Sequence, residues 1–139
     1  MRSIGLIISH KNNEERRALL PQDLPQIAHR RKLFFEEGYG NSLGIPDSAY
    51  RRQGARIVPR AEALGCDIIA DVKLGDADYL DELAPGRILF GWAHAVQMTD
   101  FTTAVLRGKH TVLAWEEIYE DGRYIFYRNR EVAGEAAIL

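Results

Sequence analysis

Three ionisable side chains stand where an apolar run ends or has just ended, the positions at which a strand would hand them to a shared edge. His94 follows Ile88-Leu89-Phe90-Gly91-Trp92-Ala93, so a strand there delivers an imidazole able to take or give a proton near neutral pH. Lys73 closes Asp67-Ile68-Ile69-Ala70-Asp71-Val72-Lys73, and its compact ammonium could polarise a carbonyl or pair with a carboxylate. Arg16 lies in Lys11-Asn12-Asn13-Glu14-Glu15-Arg16-Arg17-Ala18, just after the first apolar run, where a guanidinium could clamp a carboxylate through two parallel hydrogen bonds. On position alone the plainer readings are the commoner ones: a histidine satisfied by backbone, a solvated lysine, a charged surface loop.

Other chemistries find less support. Gly38-Tyr39-Gly40-Asn41-Ser42-Leu43-Gly44 has the glycine spacing of a dinucleotide loop, but Ile45-Pro46-Asp47 follows the last glycine. The helix therefore begins only after the glycines end, and a plain turn is expected. Gly108-Lys109 lacks the glycine-rich approach of a phosphate loop, and His10, His29, His94 and His110 lack the close spacing of a metal site. Cys66, the lone cysteine, sits in the apolar run Leu64-Gly65-Cys66-Asp67-Ile68-Ile69-Ala70. It can form no internal disulfide and reads as core filler in a reducing, cytoplasmic setting.

The elements that must position these residues alternate from the start. Short runs rich in Ile, Val, Leu and Phe at residues 4–8, 32–36, 56–58, 67–72, 87–92 and 110–114 read as strands. Between them, helix-start and helix-stop signals bracket 21–30, 47–53, 59–64, 77–83 and 99–107. This alternation implies an α/β fold: an open, mostly parallel sheet with flanking helices, Rossmann-like or flavodoxin-like, which collects ligands beyond the carboxyl ends of its strands. Arg16, Lys73 and His94 are therefore expected to face one cleft. Near the end, Glu120-Asp121-Gly122-Arg123 predicts a tight hairpin, because Asp-Gly accepts the positive backbone angles of such a turn. Asn129 is placed to cap a final helix over 130–139, whose apolar face runs to the last residue, so the chain reads as cut or shortened.

The 139 residues suit one domain, 1–139. With 18 basic and 20 acidic side chains mixed along the chain, no basic stripe offers itself to a phosphate backbone, and nucleic acid is not an expected partner. No window approaches the length of a membrane span, and membrane insertion is not expected.

Taken in order, these segments resemble the N-terminal domain shared by alanine dehydrogenase, the proton-translocating transhydrogenase and the lysine-forming saccharopine dehydrogenases. The likeness rests on Lys11-Asn12-Asn13-Glu14-Glu15-Arg16-Arg17-Ala18 with Leu20-Pro21, on Glu36-Glu37-Gly38-Tyr39-Gly40, Asp47-Ser48-Ala49-Tyr50, Gly54-Ala55-Arg56-Ile57 and Asp71-Val72-Lys73, and on Leu89-Phe90-Gly91-Trp92-Ala93-His94. Val132-Ala133-Gly134 continues it. Gly91-Trp92-Ala93-His94 and Arg16-Arg17-Ala18-Leu19-Leu20-Pro21 look closer to the carboxyethylornithine synthases than to the alanine dehydrogenases.

The resemblance implies that Arg16 and Lys73 hold a 2-oxo acid and that His94 is the acid/base at the carbonyl or imine carbon, with Lys73 assisting at the oxo group. The parent enzyme would then be an oxidoreductase that condenses pyruvate with the side-chain amine of the amino acid ornithine and reduces the imine with NADPH. The neighbouring readings are an alanine dehydrogenase, with NADH or NADPH, and a stand-alone 2-oxo-acid-binding module without catalysis. Such enzymes continue into a glycine-rich nucleotide-binding domain that residues 1–139 lack, so no cofactor is expected to be bound by this domain alone. Uncovered apolar surface leads to an expected homodimer.

Overall fold

The computed structural model describes residues 2–136. Six strands form one fully parallel sheet: β1 (Ile4–Leu6), β2 (Leu33–Glu36), β3 (Arg56–Val58), β4 (Ile68–Asp71), β5 (Ile88–Gly91) and β6 (Thr111–Ala114), in the spatial order β3-β2-β1-β4-β5-β6. This is the Rossmann order, and its direction reverses between β1 and β4, where a crevice opens at the carboxyl ends of the strands. The alternation of side chains along each strand divides the sheet into two faces. The register aligns Leu6, Phe35, Ile57, Ala70 and Phe90 on one face, here face one. Phe34, Ile69, Leu89 and Val112 align on the other, face two.

Face two is well covered. Helices α2 (Arg60–Leu64) and α3 (Thr99–Gly108) lie on it, and Ile69, Leu89, Ala63 and Phe101 are all buried there. α2 approaches so closely that a Cβ on Gly5 would stand 2.0 Å from the Ala63 carbonyl oxygen, so β1 can carry only glycine at that point. Face one is covered at one end by α1 (Asp47–Arg52), where Phe35, Tyr39 and Tyr50 stack with ring centroids 4.8 to 5.7 Å apart. Cys66 is buried core on face two, as the sequence implies.

Two helices expected from the sequence do not form. Residues 21–30 hold a 3-10 turn at Leu24–Gln26 and the start of another at Arg30–Lys32 in place of a helix, because Pro25 lacks the amide a longer helix needs and its ring would meet the carbonyl four residues back. The Asp23 carboxylate meanwhile accepts the Leu20 amide at 2.7 Å, a local bond that competes with helix. Residues 77–83 likewise give way to 3-10 turns at Leu74–Asp76 and Leu80–Glu82. There Asp78 reaches the remote His10, and Tyr79 reaches Asp71 eight residues back, which hold the backbone out of a helical repeat.

The hairpin forms as its turn residues predict. Strands β7 (Tyr119–Glu120) and β8 (Arg123–Tyr124) pair across Asp121 and Gly122, both at positive φ, 47° and 74°. The last helix, α4, begins at Tyr127 and runs to Ala136, so Asn129 lies inside it rather than capping it. Residues 137–139 of the expected helix lie outside those described. The glycine stretch is a turn closed by left-handed Gly44, and the Gly38 amide donates to the Asp47 carboxylate at 3.0 Å, which leaves an acid where a phosphate would have to sit. No helix among the described residues is long and apolar enough to cross a membrane.

Candidate active site

The loop after β1 is fastened to the sheet edge before it presents anything. Glu36, at the end of β2, accepts the Ile8 amide at 2.8 Å and pairs with Arg60 at 2.8 Å. His10 Nδ1 meets Asp78 at 2.9 Å and Lys11 meets Asp76 at 2.5 Å. Beyond these ties, Asn13 adopts left-handed backbone, φ 63°, and turns Glu14 and Arg16 towards each other.

Arg16 is held by Glu14 along one edge of its guanidinium: Nε donates at 2.8 Å and Nη2 at 2.5 Å to the two carboxylate oxygens, and the Arg16 amide donates to the same carboxylate at 2.9 Å. The Glu14 side chain is only 6% exposed, whereas that of Arg16 is 52% exposed. These hydrogen bonds are the main reason the Glu14 carboxyl lies below its ordinary range, the field of Lys73 adding to them. A guanidinium has two forks, and Glu14 occupies only the one at Nε. On the fork between Nη1 and Nη2, Nη1 donates to Asn129 Oδ1 at 3.4 Å, and the remaining hydrogens are left for a second carboxylate.

Lys73 leaves the end of β4 through a backbone bond: its amide donates to the buried Asp71 carboxylate at 2.8 Å. Tyr79 donates to the other oxygen of Asp71 at 3.0 Å. Burial pushes the Asp71 carboxyl up and the Tyr79 phenol well up. The pair is a rigid support beneath Lys73 rather than a reacting group, since Asp71 is 1% exposed.

His94 arrives at the end of β5 in left-handed backbone, φ 44°, a strained conformation for a residue with a Cβ. Glu116, just past β6, holds it there. One oxygen of its carboxylate accepts the Ala93 amide at 3.2 Å and the other accepts the His94 amide. The second oxygen also lies 3.8 Å from His94 Nδ1. The imidazole stacks on Trp92, centroids 6.1 Å apart and planes 16° from parallel.

Trp92 joins the histidine to a cavity of about 550 Å³ on face one. Its floor is Leu6, Ala70 and Phe90, one wall is Trp92, Trp115 and Phe126, and Arg16 and Asn129 stand among its lining. Phe90, Trp92 and Phe126 each lie 5.1 to 5.9 Å from the Trp115 ring. The segment over residues 21–30 contributes Ile27 to the cavity's lining. A second concavity of about 550 Å³, beside α3, carries Asp76, Asp78 and Asp81. These acids are already paired, with Lys11, His10 and Arg107.

The structure thus pairs Arg16 with Glu14, and Lys73 reaches Glu14 only through its field. Among the described residues His94 touches neither; it borders the same cavity through Trp92. Sequence reasoning passed over Glu14, which was legible two residues from Arg16 in the same motif. It also passed over Glu116 and read Asn129 only as a helix cap, since no local signal exists for partners 22 and 113 residues away. The loop after β1 runs from Ser9 to Ala18 without a glycine, so the residues at the switch point do not fit the close backbone approach of a dinucleotide pyrophosphate.

Residues 7–126 match the family model described as "Alanine dehydrogenase/PNT, N-terminal domain". The N(5)-(carboxyethyl)ornithine synthase of Clostridium botulinum is 33% identical over 92 residues, covering 66% of this chain and 28% of that protein. The alanine dehydrogenase of Lysinibacillus sphaericus is 30% identical over 119 residues, covering 83% of this chain and 32% of that protein. A solved L-alanine dehydrogenase superposes with a TM-score of 0.73 at 25% identity, covering 87% of this chain and 34% of that one. The chain therefore spans about a third of the length of the relatives it matches.

Proposed function

We propose, since this chain belongs to the alanine dehydrogenase/PNT N-terminal domain family, that it is the substrate-side domain of a nicotinamide-dependent oxidoreductase acting on a 2-oxo acid and an amine. The observation that carries this reading is the guanidinium of Arg16, gripped by Glu14 along one edge, with its Nη1–Nη2 fork, where Nη1 donates to Asn129, beside the cavity. A carboxylate seated on that fork makes the charge-assisted, two-point contact that fixes an acid in position and orientation. Lys73, at the end of β4, supplies a positive charge for the developing negative charge on the oxo oxygen. His94 manages the proton at the carbonyl or imine carbon.

The nicotinamide is assigned to protein outside these residues, because the loop after β1 does not fit a dinucleotide. In the finer reading, pyruvate condenses with the side-chain amine of ornithine, water leaves, and the imine is reduced. The name and identity of the Clostridium relative support this version. The test is oxidation of NADPH, and separately NADH, by the intact enzyme with pyruvate and ornithine, lysine or ammonia, beside its His94→Ala variant. Turnover with ornithine that the variant loses supports the synthase reading. Turnover with ammonia alone makes it an alanine dehydrogenase, and no turnover with any amine leaves a binding module.

A further inference from the structure

We propose that the basic edge of the sheet, at the end opposite the candidate active site, is a binding site for a small polyphosphate. Two runs that the sequence keeps apart build it, Arg30-Arg31-Lys32 and Arg51-Arg52 with Arg56. The first run ends where β2 begins, and the second closes α1 and opens β3. The parallel pairing of β2 with β3 sets Phe34 beside Arg56, so the runs meet at the amino ends of these strands. There Arg31, Lys32, Gly54 and Arg56 line one concavity of about 390 Å³, within the range of small-molecule sites.

All six cations are exposed, and among the described residues none of them is paired with an acid. Elsewhere Lys11, Arg16, Arg60, Arg107 and Arg128 all have acidic partners. Like charges gathered without acids repel one another, and a multiply charged anion seated among them relieves that repulsion as it gains its own contacts. Two of the guanidiniums are also positioned in advance. Arg56 lies over the Phe34 ring, 5.1 Å from its centroid, and the stem of Arg30 lies along Gly54, where a Cβ would stand 3.3 Å from Arg30 Nε. Neither contact spends an N–H hydrogen bond, so both guanidiniums keep their forks for phosphate oxygens. Gly54 is itself at φ 85°, which glycine holds without strain, and it brings no side chain into the concavity.

Simpler causes explain only part of this patch. Arg51 and Arg52 suit the carbonyl end of α1, and Arg56 puts a charge on β3, an edge strand. Neither cause accounts for Arg30, Arg31 and Lys32, which precede β2, an inner strand. The concavity fits a short anion better than a long one. Six of the chain's 18 basic side chains are here, and the other twelve are outnumbered by 20 acidic ones, so a polyanion that runs past the patch meets a surface that repels it. A short polyphosphate carries several charges and presents oxygens on every side, which forks and an ammonium can share.

Isothermal titration calorimetry on the chain tests this with inorganic phosphate, pyrophosphate and tripolyphosphate, with ATP, with citrate and with a short DNA duplex. The expected affinity rises with phosphate count, tripolyphosphate binding roughly tenfold tighter than phosphate or more, and falls as salt is added. Arg31→Gln and Arg56→Gln are each expected to weaken tripolyphosphate about tenfold, while Lys109→Gln, an exposed base at the end of α3, leaves it unchanged. All three are surface substitutions, and thermal melts check that each variant keeps its fold. ATP and tripolyphosphate separate two sources of the same chemistry: tighter ATP identifies a nucleotide, tighter tripolyphosphate an inorganic chain, and either supports the proposal. Citrate binding as tightly as tripolyphosphate, or a loss as large in Lys109→Gln as in Arg56→Gln, reduces the patch to diffuse charge and overturns it. Binding that Arg16→Ala abolishes and Arg56→Gln keeps puts the phosphate in the cleft and overturns it as well. A duplex that binds more tightly than tripolyphosphate overturns it in favour of nucleic acid, and no binding of any phosphate compound overturns it outright.

Discussion

Glu116 is the residue on which the placement of His94 turns, and Glu116→Gln isolates its contribution. The carboxylate accepts the amides of both Ala93 and His94, one on each oxygen, and its side chain is 19% exposed. Glutamine has the same shape but only one accepting oxygen, so its NH₂ group must face one of the two amides. That amide loses its carboxylate acceptor, at a cost of about 1–2 kcal/mol. For a domain of this length each kcal/mol moves the melting temperature by roughly 3–4 °C, so the variant is expected to melt about 3–8 °C lower. The loss is local: the Ala93 and His94 amides should exchange with solvent faster while the strand amides of Ile69 and Leu89 keep their protection. Glu117→Gln, its exposed neighbour, serves as the control and should stay within about 0.5 kcal/mol of the parent. Thermal melts and hydrogen exchange followed by NMR measure all of this. If Glu116→Gln melts with the parent and the two amides exchange unchanged, the carboxylate does not hold His94 in its left-handed conformation and the reasoning fails.

Four further outcomes follow from the same geometry. Phe35→Ala empties the centre of the Tyr39 and Tyr50 stack, where Phe35 is 0% exposed, and should cost about 3–5 kcal/mol in denaturant unfolding. Gly5→Ala drives a Cβ into the Ala63 carbonyl and should cost about 3 kcal/mol by the same measurement, or prevent folding. Asp71 has a raised carboxyl pKa because it is buried, so the unfolded chain ionises first as pH rises from its ordinary value of 3.8. The stability from this group is therefore greatest below that value and falls as pH climbs through the folded one; Asp71→Asn should flatten that fall in unfolding curves recorded across the acidic range. Arg16→Lys keeps the charge but loses the fork, so pyruvate binding measured by tryptophan fluorescence should weaken about tenfold, whereas equal affinity would mean that a point charge suffices.

Much of the architecture was legible in the chain itself. Each strand is a short run of branched or aromatic residues, and the turn at Asp121-Gly122 needs backbone angles that those two residues accept most readily, so local chemistry specifies both. The motif through Lys11, Glu14 and Arg16 was legible for the same reason: its parts are adjacent, and Glu14 and Arg16 meet within one turn of loop. The expected helices over residues 21–30 and 77–83 show where local reading stops, because Pro25 interrupts one and the bonds of Asp78 to His10 and of Tyr79 to Asp71 interrupt the other. Only the tertiary structure decided that Glu116 would clamp His94, that Asn129 would stand beside Arg16, and that a poorly covered face of the sheet would leave a cavity between them. Those relations depend on which strands become neighbours, and β1 lies beside β4 while β5 lies beside β6. Pairing of that kind comes from the packing of the whole sheet, which no short stretch of residues contains.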